Sequence, residues 1–132
     1  MRDYLENILY YLPKKFKGSS VTPAANHLFN VNTNCKKLSE DNAQLFHALV
    51  DKLLFLGKRA CPDILTTVYF LTTQVREPDE DDKKKLARAL KYLDATKYLV
   101  LTIKCDGTGS NKWWVDAAFV VHHNIRSHTG VL

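Results

Sequence analysis

The sequence predicts an α+β chain, mainly α, in which three to four helices are followed by a C-terminal β-hairpin. Three observations carry this. Apolar residues recur at helical spacing in four stretches before residue 97. After Asp94-Ala95-Thr96 the apolar period changes from 3.6 to 2. Proline, glycine and capping residues stand at the expected ends of each stretch.

Residues 3–12 carry Leu5, Ile8, Leu9 and Leu12 at helical spacing, and Pro13 ends the run. Residues 14–37 read as a long connector rich in Asn, Ser and Lys, with about one helical turn around 24–29. Ser39 is placed to cap a helix over about 40–56, with Glu40 and Asp41 at its positive end. Its stripe is Leu45, Leu49, Leu53 and Leu56, widened by Phe46, Val50 and Leu54. Gly57 is expected as its C-cap, with Lys58 and Arg59 at the negative end. Pro62 suits a first helical position, and Ile64, Val68, Leu71 and Val75 continue that helix. Its threonines and valines weaken helix propensity, so packing must hold it.

Pro78 and Asp79 open a third long helix. Asp79, Glu80, Asp81 and Asp82 are expected in its first turn, followed by Lys83, Lys84 and Lys85, with Leu86, Leu90 and Leu93 as the buried stripe. The five acids from Glu77 to Asp82 lack the glycine and distal glutamate of a calcium loop. Residues 98–105 alternate as a strand with Leu99, Leu101 and Ile103 on one face. A turn cluster at 106–111 leads to a second strand over 112–121.

Composition bounds the function. The 132 residues suit one domain with a real core, and 45% hydrophobic with 25% charged residues is ordinary globular usage. Apolar runs reach only five residues, against the roughly 20 of a membrane span. The charged N-terminus has no signal core. The expectation is an intracellular protein of cytoplasm or nucleus, not secreted and with no membrane partner. Cys35, Cys61 and Cys105 have neither zinc nor disulfide-framework spacing, so reduced thiols are expected. The net charge of +5 resides in residues 14–37, where Lys14, Lys15, Lys17, Lys36 and Lys37 stand without any acid. Such a segment suits phosphate contact, and a solvated loop is the plainer account.

Asp116 is the one carboxylate in the run Trp113-Trp114-Val115-Asp116-Ala117-Ala118-Phe119-Val120-Val121. An ionised carboxylate on a half-buried strand costs several kcal/mol unless paired, and a cation is one such partner. By spacing alone, an aspartate facing water on an edge strand is the better account. His122 and His123 are adjacent, so in an extended chain they point to opposite sides and do not share a metal. Arg126 lies in a polar turn and could meet a phosphate. His47 reads as a rim residue. No phosphate loop, Ser/His/Asp arrangement or Cys/His pair appears.

From Val21 onward the chain resembles the reverse transcriptase region of Ty1/copia-type retrotransposon polyproteins. The residues concerned are Val21-Thr22-Pro23-Ala24-Ala25-Asn26-His27-Leu28-Phe29, then Leu45-Phe46-His47-Ala48-Leu49-Val50-Asp51-Lys52-Leu53-Leu54-Phe55-Leu56. Lys58-Arg59-Ala60-Cys61-Pro62-Asp63-Ile64, the helix over 78–93, Val115-Asp116-Ala117 and Arg126-Ser127-His128-Thr129-Gly130 continue it. Cys61, Asp94-Ala95, His123-Asn124 and Val131 depart from the family pattern.

The resemblance implies that residues 1–97 are a thumb/connection-like helical region. Residues 98–132 would be the truncated N-terminal hairpin of a ribonuclease H-like domain. It implies weak contact with an RNA/DNA duplex through Lys14, Lys15, Lys17, Lys36, Lys37 and Arg126, and a palm domain as partner. Asp116 matches the first of several carboxylates that hold Mg2+ in the parent family. The palm would precede Met1 and the remaining carboxylates would follow Leu132, so no complete active site, no bound cofactor and no enzymatic activity are expected of the isolated chain. Two rivals stand beside this reading. One is a small helix-turn-helix-like DNA-binding protein, formed by the helices on either side of Gly57 and Pro62, although residues 64–75 contain no Lys or Arg. The other is a non-functional open reading frame.

Overall fold

The computed structural model describes residues 1–11, 18–99, 101, 102, 104–110, 115–118 and 128–131, the last two stretches as backbone. The chain is mainly helical, with four α-helices among the described residues: α1 (Arg2–Tyr10), α2 (Glu40–Arg59), α3 (Leu65–Thr72) and α4 (Glu80–Thr96). A 3₁₀ turn, Pro62–Ile64, leads into α3. By internal contacts the chain divides into Met1–Leu99 and Val100–Leu132.

In the first unit α2 is central, packing against α1, α3 and α4. Leu5 and Ile8 of α1 are buried on this core, and Tyr4 stacks at 5.3 Å on Phe55 of α2. Leu12 and Pro13 lie outside the described residues. The buried stripe of α2 is Phe46, Leu49, Val50, Leu53, Leu56 and Gly57. Leu45, expected within it, is 40% exposed. The two candidate stripes differ by one helical position, and the bulkier Phe46 takes the inward side.

Ser39 precedes α2 in extended backbone, yet its side chain caps no amide. Its hydroxyl instead accepts from Asn42 Nδ2 at 2.7 Å. Gly57 is not a C-cap. The helix runs through it to Arg59, and an added Cβ there would stand 2.8 Å from Leu65 Cδ2. The glycine is where α2 and α3 approach closely.

Pro62 occupies the first turn of the 3₁₀ segment, as its missing amide hydrogen allows. Ile64, Val68 and Leu71 are buried, but α3 stops at Thr72, before the half-buried Val75. Thr72 and Thr73 donate their hydroxyls to the carbonyls of Tyr69 and Phe70, both at 2.7 Å. This back-bonding competes with helix propagation.

In α4, Leu86, Leu90 and Leu93 are buried as their spacing predicts. Asp79 is the N-cap rather than a first-turn residue. Its Oδ1 accepts from the amides of Asp81 and Asp82, each at 2.9 Å, while Asp82 Oδ2 accepts from the Asp79 amide at 3.2 Å. This reciprocal box satisfies three otherwise free amides. The connector docks on the same end: Leu38 N donates to Pro78 O and Glu80 N to Lys36 O, both at 3.0 Å. Residues 25–30 form turns, with Leu28 buried.

In the second unit a two-stranded antiparallel pair joins Val115–Ala118 to His128–Val131, with Asp116 opposite Gly130. The expected hairpin between 98–105 and 112–121 is not shown. The described residues of 98–105 are irregular, and Tyr98 and Leu99 are 72% and 74% exposed. Alternation alone cannot make a strand without a neighbouring ladder and a face to bury. At the turn cluster Asp106 Oδ1 accepts from Thr108 N and Oγ1, and Gly107 and Gly109 adopt positive φ, a conformation suited to glycine.

Candidate nucleic-acid interface

The outward face of α4 is determined by its inward one. With Leu86, Leu90 and Leu93 turned to the core, Asp81, Lys84, Lys85 and Arg88 fall together on another side at i, i+3, i+4 and i+7. The segment Pro23–Leu28 lies over that side. Between them is a cleft of about 190 Å³, lined by Pro23, Ala24, His27, Lys84, Lys85 and Arg88, with Asp81 also on its wall.

The cations in this cleft are not equivalent. Lys85 is buried, with Nζ 2.9 Å from Asp81 Oδ2, donating to Asn30 O at 2.6 Å and lying 4.8 Å from the Phe70 ring centroid. A buried ammonium needs this much compensation, so Lys85 is structural. Lys84 is exposed. Arg88 Nη2 donates to Thr22 Oγ1 at 3.0 Å, whereas its Nε is buried with no hydrogen-bond partner.

Of the residues singled out by sequence, Lys36 and Lys37 are exposed at the bridge to residues 78–80. Lys37 Nζ donates to Glu77 O at 3.0 Å. Lys14, Lys15, Lys17 and Arg126 lie outside the described residues. Asp116 is placed as backbone within the strand pair. His47 is exposed, 3.4 Å from Asp51, as its rim position suggests. Sequence reasoning missed His27, Lys84 and Arg88. The signal was present in the helical wheel of α4, but His27 enters only through the fold of the connector.

At the start of α4, Asp79, Asp81 and Asp82 are committed to structure, while Glu80 is exposed. Asp79 and Asp82 are both buried in the capping box, and burial, the largest cause, raises the Asp82 carboxyl to about 6. Among the described residues no group of three or more His, Cys, Asp or Glu is arranged to hold a metal ion. Cys35, Cys61 and Cys105 are free. Burial, with Asp63 adding to it, pushes the Cys61 thiol up, the opposite of what a nucleophile needs. Among the described residues no helix is long and apolar enough to cross a membrane. Comparison with protein families, curated proteins and solved structures gives no match.

Proposed function

We propose that residues 1–97 act as a thumb/connection-like element of a Ty1/copia-type reverse transcriptase, holding an RNA/DNA duplex by its backbone without reading sequence. In this reading residues 98–132 are the start of a ribonuclease H-like domain, with its C-terminal hairpin and Asp116 as the first carboxylate. A two-magnesium centre takes several oxygen ligands around cations about 4 Å apart, and Asp116 supplies one. No catalytic step is therefore assigned to the isolated chain. Magnesium-dependent cleavage of an RNA–DNA hybrid that disappears in Asp116→Asn would overturn this.

The observation that carries the proposal is the gathering of cations along the N-terminal half of α4. Lys84 and Arg88 line the cleft with His27, and Lys36 and Lys37 are held at the helix start by the bridge to 78–80. Phosphate contact by such side chains releases counterions, so affinity falls steeply with salt. Fluorescence anisotropy with hybrids of unrelated sequence should give equal affinities. Lys36→Gln and Lys37→Gln should each reduce the slope of log K against log salt by about 1. Sequence-preferring binding that resists moderate salt would favour a regulator instead. The helix-turn-helix reading gains no support from α3, which contains no Lys or Arg and buries Thr67, Val68, Phe70 and Leu71.

A further inference from the structure

We propose that the cleft between Pro23–Leu28 and α4 is a phosphate-binding site, in which Arg88 and Lys84 hold the anion and His27 closes one wall. This goes beyond the duplex reading, because it requires only a phosphate group, whether from a nucleic-acid backbone or a free phosphate ester.

Three features point to it. Arg88 is held by its bond from Nη2 to Thr22 Oγ1, so the guanidinium is oriented before any ligand arrives. Its Nε is itself buried with no hydrogen-bond partner, so the terminal guanidinium nitrogens are the donors left to meet an entering oxygen. Guanidinium donors are matched to phosphate oxygens in spacing and plane. The cleft is also electrostatically unbalanced. Asp81 is the one acid among the described lining residues and pairs with Lys85, so Lys84 and Arg88 add net positive charge to the wall. Finally, its volume of about 190 Å³ exceeds the roughly 10–15 Å³ that admits one water, leaving room for a tetrahedral anion.

The test is a titration of the full chain with inorganic phosphate, followed by 1H–15N NMR against sodium chloride of equal ionic strength. Amides of residues 22–28 and 84–88 should shift and saturate at phosphate concentrations on the order of 10 mM. Arg88→Gln should weaken binding about tenfold, Arg88→Lys and Lys84→Gln severalfold. Equal shifts in chloride, or an unchanged affinity in folded Arg88→Gln, would overturn the site. If Arg88→Gln does not fold, the wild-type shift map and Lys84→Gln decide in the same way. A parallel titration with an RNA–DNA hybrid separates the sources. Competition by phosphate and a weakened hybrid affinity in Arg88→Gln identify a backbone phosphodiester. Phosphate binding with hybrid affinity unaltered by Arg88→Gln identifies a free ester. Failure of the hybrid to bind at all would sink the duplex reading and leave the phosphate result standing.

Discussion

Asp79 and Asp82 form a reciprocal capping box at the start of α4. Together they satisfy three amides at the start of α4, at the point where Lys36 and Leu38 dock. Asp79→Ala should cost about 1–2 kcal/mol in urea denaturation, and Asp79→Asn much less, because an amide oxygen still caps. The burial that makes the box effective also disfavours the charge. Asp82 titrates at about 6, above the ordinary 3.8, so the folded chain binds this proton more tightly than the unfolded chain. Stability from this group is therefore full below pH 4 and falls as pH rises towards and past 6. Its total is on the order of 3 kcal/mol as an upper bound. Denaturation midpoints measured between pH 4 and 7.5 should fall in the wild type and be flatter in Asp82→Asn. A wild-type profile that rises over this range would contradict the assignment.

At the scale of elements, α2 and the start of α3 approach closely at Gly57. Gly57 lies within α2 where a Cβ would press on Leu65 Cδ2 at 2.8 Å and on Leu65 Cγ at 3.3 Å. Leu65 is half-buried, so its tip can yield. Gly57→Ala should consequently change stability by less than about 1 kcal/mol, with gained helix propensity offsetting the contact. Gly57→Leu should destabilise by about 1–3 kcal/mol, because its added carbons also press on the fully buried Ile64, whose Cγ1 would lie 3.4 Å from the new Cβ. Chemical denaturation of both variants checks the pair. On α4, the Tyr92 hydroxyl donates to Asp63 Oδ2 and ties the helix to the 3₁₀ turn ahead of α3. That hydrogen bond holds the Tyr92 phenol above its ordinary range.

For the whole molecule, the core among the described residues lies in Met1–Leu99, where α1, α2, α3 and α4 share one cluster. The described residues just after α4, 97–99, 101, 102 and 104–110, form no regular element, and Tyr98, Leu99 and Leu101 are exposed. Proteases need several residues of accessible, extended chain. Brief chymotrypsin treatment should therefore cut within 98–110 before any site in 40–96, leaving the helical part intact by mass spectrometry. Early cleavage inside α2 would mean that the helical core is less stable than its packing implies.

Much of the helical architecture was legible because it depends on neighbours in the chain. The spacing of Leu86, Leu90 and Leu93, Pro62 at a first turn and the acids opening α4 act within a few residues of themselves. The choice of Phe46 over Leu45, the packing role of Gly57 and the early end of α3 were not legible. Each depends on which surface arrives from elsewhere. The strand expected over 98–105 is not shown among the described residues, and a period of 2 has meaning only against a partner. The candidate site divides likewise: Lys36 and Lys37 stood out by local charge, while His27 and Arg88 did not.

The sequence by itself determined which segments are helical and that net positive charge collects in residues 14–37. Only the tertiary structure decided that Lys85 is a buried ion-pair partner, that Gly57 is a contact point and that His27 joins Lys84 and Arg88 around one cleft. Periodicity and capping are short-range energies written along the chain. A cleft is made by segments some 60 residues apart, and the packing that brings them together is a property of the folded core.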